Sequence, residues 1–280
     1  MAIPPRYPLL VEMRLENRYA DAVKRILGET LKQVTADLNK LPAGTLTRMQ
    51  LEAQRAAIKA YLASDWSDIY VGLNTGQKEA AIQASKVVSR YEEQLLGLRL
   101  SRGTMDTMAR SFAATAASGV EAAMRRMEGT SHTTLKTTVY KSRLLTSGWV
   151  DDIINKGLAA GWDAKRLAKE ILPSINPGVR GGVSYAAMRT ARTEINNAFH
   201  ASAALRYQNS PFVDKVDWHL STSHPEGDVC DTLAAEGPYP VNAVPKKPHP
   251  HCYCYTTPSL VSEDEFLDNL LAGKYDKFVV

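Results

Sequence analysis

Seven prolines stand between residues 225 and 258, at positions 225, 238, 240, 245, 248, 250 and 258. Each removes a backbone donor and fixes φ, so no long helix can cross this span. The sequence before Pro211 has the opposite texture. From Pro8 to about Asn39, apolar residues including Leu9, Met13, Val23, Leu27, Leu31, Val34 and Leu38 recur mostly at three- and four-residue spacings, which predicts an amphipathic helix. Leu41-Pro42-Ala43-Gly44 ends it, and Thr45 can cap a second helix to about Leu62. Further helices are expected over Glu79–Leu100 and Met105–Met127, where the small residues Ala113–Gly119 permit close helix approach. Thr130–Thr146 is Ser/Thr-rich with no strong period and reads as loop with possible helix. Short helices are expected over Trp149–Ala160, closed by Gly161, and over Ala164–Leu172, capped by Asp163. A longer one runs from about Ser184 to Tyr207, with an apolar stripe through Met188, Ala191, Ile195, Ala198, Ser202 and Leu205. Arg189, Arg192, Asn196 and His200 form its polar flank.

After Pro211, "FVDKVDWHLS" alternates like a strand, and "SEDEFLDNLLAG" opens with a capping box, Ser262 with Glu265. The expected fold is therefore mainly α: a helical N-terminal region and a helical middle, then a small α+β module with few short strands. Its segments are a helical bundle or arm over 1–129, helices over 130–210, a strand/loop module over 211–261, and a final helix and tail over 262–280.

Charge adds a partner class. Residues 129–209 hold 11 Lys/Arg against 5 Asp/Glu, and residues 210–280 reverse this with 5 against 11. The basic part suits contact with a polyanion or an acidic surface. Lys165, Arg166, Arg189 and Arg206 are the candidate phosphate contacts. MAIPPRYPLL lacks the features of a signal peptide, and no uncharged apolar run approaches the ~20 residues of a bilayer span. Three cysteines are too few for a disulfide framework, so synthesis in a reducing cytoplasm is expected.

All three cysteines and four of the six histidines fall between His219 and Cys254. Thiolates and imidazoles together suit Zn²⁺ in a closed tetrahedral site. Cys252 and Cys254 alternate across Tyr253, so an extended segment points both sulfurs one way. The expected ligands are Cys230, His249, Cys252 and Cys254, with His224 and His251 in reserve. A metal-free cluster of buried thiols and loop histidines is the other reading, because Leu233 stands where a C-x-x-C pair would close. His224-Pro225-Glu226 matches the H-x-E of zinc deaminases, but P-x-C-x-C replaces their P-C-x-x-C. Asp228 and Asp231 read as loop caps or supporting acceptors. The phosphate-binding motifs G-x-x-x-x-G-K-[ST] and G-x-G-x-x-G are absent, and no catalytic constellation is evident, so no enzymatic activity is expected.

Taken in order, "ARTEINNAFHASAALRY", "VDWHLSTSHPEGDVCD", "GPYP" and "PHPHCYCYTTP" resemble the phage Mu F-like family of minor head, or head morphogenesis, proteins. Arg192, Thr193, Glu194, Trp218, Asp228, Cys230, Tyr239, His249, Pro250, Cys252 and Cys254 fall on the family pattern, over about residues 150–258. The resemblance implies a low-copy virion protein at the portal vertex. Its implied partners are the portal protein and neighbouring head proteins, with non-specific contact to packaged double-stranded DNA. An ejected internal DNA-binding protein and a zinc-dependent hydrolase are the alternatives. Arg192 and Glu194 themselves read as members of an ion pair.

Overall fold

The computed structural model describes residues 6–96, 134–224, 227–250 and 252–274. It contains α1 (Tyr7–Asn39), α2 (Arg48–Leu96), α3 (Leu135–Ala160), α4 (Ala164–Ile175) and α5 (Gly182–Gln208). Then come β1 (Val213–His219), α6 (Val229–Glu236), β2 (Tyr239–Pro240), β3 (Tyr255–Leu260) and α7 (Glu263–Leu271). The class is as expected: mainly helical, with a small α+β module after Pro211.

One local expectation is corrected and another is decided. The helices anticipated over Thr45–Leu62 and from Glu79 onward are one helix, α2. The stretch between them has no proline, and buried Leu62, Trp66, Ile69, Leu73 and Ala80 carry the apolar period straight through it. Gly72 and Gly76 each cost about 1 kcal/mol relative to alanine, which this burial outweighs. Of the two readings for the Ser/Thr-rich stretch, helix holds from Leu135, with Thr134 as N-cap accepting from Thr137 N. β-Branched threonines weakened its local signal, while buried Leu135, Val139, Val150 and Ile154 supply the face. The helix expected over Met105–Met127 lies outside the described residues.

Residue contacts divide the chain into two units. One comprises described residues from Glu16–Thr75 and Thr133–Glu194. Its core includes Leu27, Leu51, Ile58, Trp66, Ile69, Ile154, Leu167 and Ile171, all nearly inaccessible. Buried Trp66 still finds an acceptor, Thr146 Oγ1, at 3.3 Å. Gly161 ends α3 in the left-handed conformation and Asp163 caps α4, as the sequence predicts. Gly182 is the most constrained residue here: its φ is +71°, and a Cβ would lie 2.7 Å from the Ser174 backbone. Replacing Gly182 by alanine is expected to destabilise the protein by about 2–3 kcal/mol through strain and overlap, read as a lowered Tm.

The other unit comprises described residues from Met1–Leu15, Gly76–His132 and Ile195–Val280. A three-stranded antiparallel sheet in the order β2-β1-β3 lies within it. Val216 and Trp218 of β1 alternate toward the interior, opposite Pro258 and Thr256 of β3. Glu92 near the end of α2 is buried and accepts hydrogen bonds from Arg206 (2.6 Å) and Ser210 (2.5 Å), which ties α2 to the end of α5. α7 has its predicted cap, Glu265 N donating to Ser262 Oγ, and Phe266 packs against Phe212.

Candidate metal centre

The short helix α6 sets the first thiol. Asp228 accepts from Cys230 N, and the Asp231 carboxylate accepts from Asp228 N, a reciprocal capping box that fixes Cys230 in the first turn. Cys252 and Cys254 lie on the segment leading into β3. Their carbonyls, not only their sulfurs, are held. Asn196 of α5 donates to the Cys252 carbonyl at 2.9 Å. The Lys247 ammonium donates to the Cys252 carbonyl at 3.3 Å and also to that of Cys254. Lys247 is itself balanced by Glu12 of α1 at 3.1 Å, both side chains being only 2% exposed.

With the backbone clamped, the sulfurs converge. Cys230 Sγ stands 3.5 Å from Cys252 Sγ and 3.5 Å from His249 Nε2. Cys254 Sγ faces His224 Nδ1 at 4.0 Å. Two groups with mutual distances under 4.8 Å result, Cys230–His249–Cys252 and His224–Cys230–Cys254, sharing Cys230. Two thiolates on one tetrahedral zinc are about 3.8 Å apart, so these spacings need little adjustment to hold a metal ion. All three sulfurs are buried, in a pocket walled by Trp218, Leu233 and Tyr239.

The carboxylates of α6 orient the imidazoles. Asp231 Oδ1 lies 3.1 Å from His224 Nε2, approaching obliquely, which leaves Nδ1 turned to Cys254. His249 Nδ1 lies 3.1 Å from the Pro250 carbonyl, and Nε2 lies 3.5 Å from Cys230 Sγ and 3.1 Å from Asp228 Oδ2. Asp231 thus serves both in the capping box and as a support for His224, while Asp228 caps α6 and lies beside the His249 nitrogen nearest Cys230.

Charge within the cluster is uneven. Hydrogen bonding from the Cys252 thiol, against the opposing effect of burial, brings Cys254 down to about 5. Burial pushes Cys230 up to about 12, and donating to Cys254 raises Cys252. Burial disfavours ionised His224, yet Asp231, Cys254 and Asp228 together outweigh it and raise its pKa.

The remaining predicted residues sort clearly. Trp218 and Tyr239 wall the sulfur pocket, and Pro250 is exposed beside His249. Arg192, Thr193 and Glu194 lie on α5 in the other unit, where Thr193 Oγ1 donates to the Arg189 carbonyl at 2.9 Å. Lys165, Arg166 and Arg189 are exposed, Arg166 pairing with Glu170 at 2.7 Å. Arg206 is mostly buried against Glu92 and so is poorly placed for phosphate. Glu226 and His251 lie outside the described residues.

Three participants were not foreseen: Glu12, Lys247 and the buried part of the α5 polar flank. His200 on that flank, brought down to about 3 by burial and stacked edge-on against Trp218, is neutral and donates to the Pro245 carbonyl at 2.7 Å. A polar pair four residues apart, Asn196 and His200, on an otherwise Ala-rich helix was the available signal.

The chain matches no family model, no curated protein and no solved structure.

Proposed function

We propose that this chain is a minor structural protein of a tailed-phage head, resident in the virion at the portal vertex and acting in head morphogenesis. In this reading the Cys/His cluster is a structural zinc clasp, held by Cys230, Cys252, Cys254 and His249. The observation that carries the zinc reading is a pair of Cys/His triads that share buried Cys230, namely Cys230–His249–Cys252 and His224–Cys230–Cys254, with the ligand atoms of each within 4.8 Å of one another. Thiolate and imidazole donors favour zinc over the hard cations that take oxygen ligands. A full set of protein donors in a pocket walled by Trp218 and Tyr239 suits a closed structural site, in which zinc ties the donors together. His224 supports the cluster from the Cys254 side.

The head-protein reading rests on the ordered motifs from Ala191 to Pro258 and is supported by the architecture they bracket: long helices feeding one small clasped module. Exposed Lys165, Arg166 and Arg189 favour added, non-specific contact with packaged duplex DNA, whose affinity would fall steeply with salt. The test is capture of the full-length chain by the portal protein of the same phage, with immunodetection in purified procapsids and virions. Retention by the portal and presence in particles are expected. Absence from both particles contradicts the reading.

A further inference from the structure

An acidic, partly apolar stripe and a basic groove face solvent on this chain, and their chemistry is complementary. On α7, Asp264, Leu267, Asp268 and Leu271 follow one another at i, i+3, i+4 and i+7, which places them on a single face. All four are exposed, Leu267 at 52% and Leu271 at 86%. Phe266 anchors the helix elsewhere, against Phe212, so this face is not the one that holds α7 in place. Leu267 and Leu271, one turn apart, make a small apolar strip beside the two carboxylates on this face.

The groove runs along α4. It is a shallow cavity of about 670 Å³ with an apolar floor that includes Leu172, Pro173 and Val179. Lys165 and Lys169 are its cations unpaired among the described residues, while Arg166 pairs with Glu170 and the Asp163 carboxylate accepts from Arg166 N at the start of α4. Lys165 and Lys169, four residues apart, project on the same side of α4 as Leu172. Cations and an apolar floor in one groove match carboxylates and leucines on one stripe. Duplex nucleic acid can meet the same cations but leaves the floor wet, so the groove takes one occupant at a time, and an acidic amphipathic helix covers the floor as well.

We propose that α7 of one chain docks in the α4 groove of a second copy, Leu267 and Leu271 seating on the floor while Asp264 and Asp268 pair with Lys165 and Lys169. Donor and acceptor surfaces differ, so the contact is heterologous and propagates head to tail, closing into a ring if the rotation allows. This association does not depend on the zinc clasp or on a head location.

Sedimentation velocity of the full-length protein over a range of concentrations tests it. Concentration-dependent oligomers are expected at about 0.01 M salt and markedly fewer at about 1 M, where charges are screened. L267S/L271S, which blunts the helix, and K165E/K169E, which reverses the groove, should each give monomers with unchanged thermal unfolding. Mixing the two variants should restore dimers and nothing larger, because only one intact helix and one intact groove remain per pair. Combining K165E/K169E with D264K/D268K in one chain should restore oligomers. A wild-type protein that is monomeric throughout, oligomers that survive both single-face variants, or a mixture that stays monomeric would each overturn the proposal.

Discussion

Replacing Cys252 by serine in the full-length chain is expected to abolish stoichiometric zinc binding and lower the Tm by about 10 °C. A structural zinc contributes its binding free energy only to the folded state, and in small zinc modules this reaches about 10–16 kcal/mol. Here the clasp is one part of a larger unit, so several kcal/mol is the coupled share, and each kcal/mol moves Tm by about 2–4 °C in a chain of comparable size. Chelation of the wild-type protein should reproduce the shift, and it should leave the C252S variant unaffected. If serine and chelator act additively, the metal is bound elsewhere.

The second large effect concerns Lys247. Its ammonium is buried against Glu12 and the carbonyls of Cys252 and Cys254. Lys247→Met should cost about 3–5 kcal/mol, chiefly because the Glu12 carboxylate is left buried without a counter-charge. Lys247→Met/Glu12→Gln should recover much of that loss. The pH dependence has a definite sign. Burial raises the Glu12 pKa in the folded protein, and Lys247 opposes this. A carboxyl with a raised folded pKa contributes its stability below its unfolded pKa and loses it as pH rises through the folded one. Removing Lys247 raises the folded pKa further, so the deficit of Lys247→Met relative to wild type should grow from acid to neutral pH. Urea unfolding across that range measures it, and a deficit that shrinks toward neutral pH would remove Glu12 from the account.

Much of this was legible in the sequence because it is local. The α1 period, the Gly161 and Asp163 boundaries, the Ser262 cap and the alternation of β1 each depend on residues a few positions apart. The α2 break was misread because Gly72 and Gly76 weaken a local signal that Trp66, Ile69 and Leu73 sustain. The cluster of thiols was visible as composition, and the C-x-C spacing foretold two sulfurs on one side. What sequence could not reach was pairing at a distance. Glu12 and Lys247 are 235 positions apart, and nothing in either neighbourhood names the other. Asn196 and His200 read only as part of a polar flank, yet they are donors that hold the carbonyls of Cys252 and Pro245. The clasp is thus positioned by backbone acceptors, which carry no residue identity for a motif to record.

Native mass spectrometry of the purified full-length protein, paired with elemental analysis, addresses the zinc clasp most directly. The account predicts one zinc per chain, lost from each of C230S, C252S and C254S, and bound more weakly by H249N. A wild-type chain that carries no metal when purified with zinc present, or one that keeps it after Cys230 is replaced, would contradict the clasp.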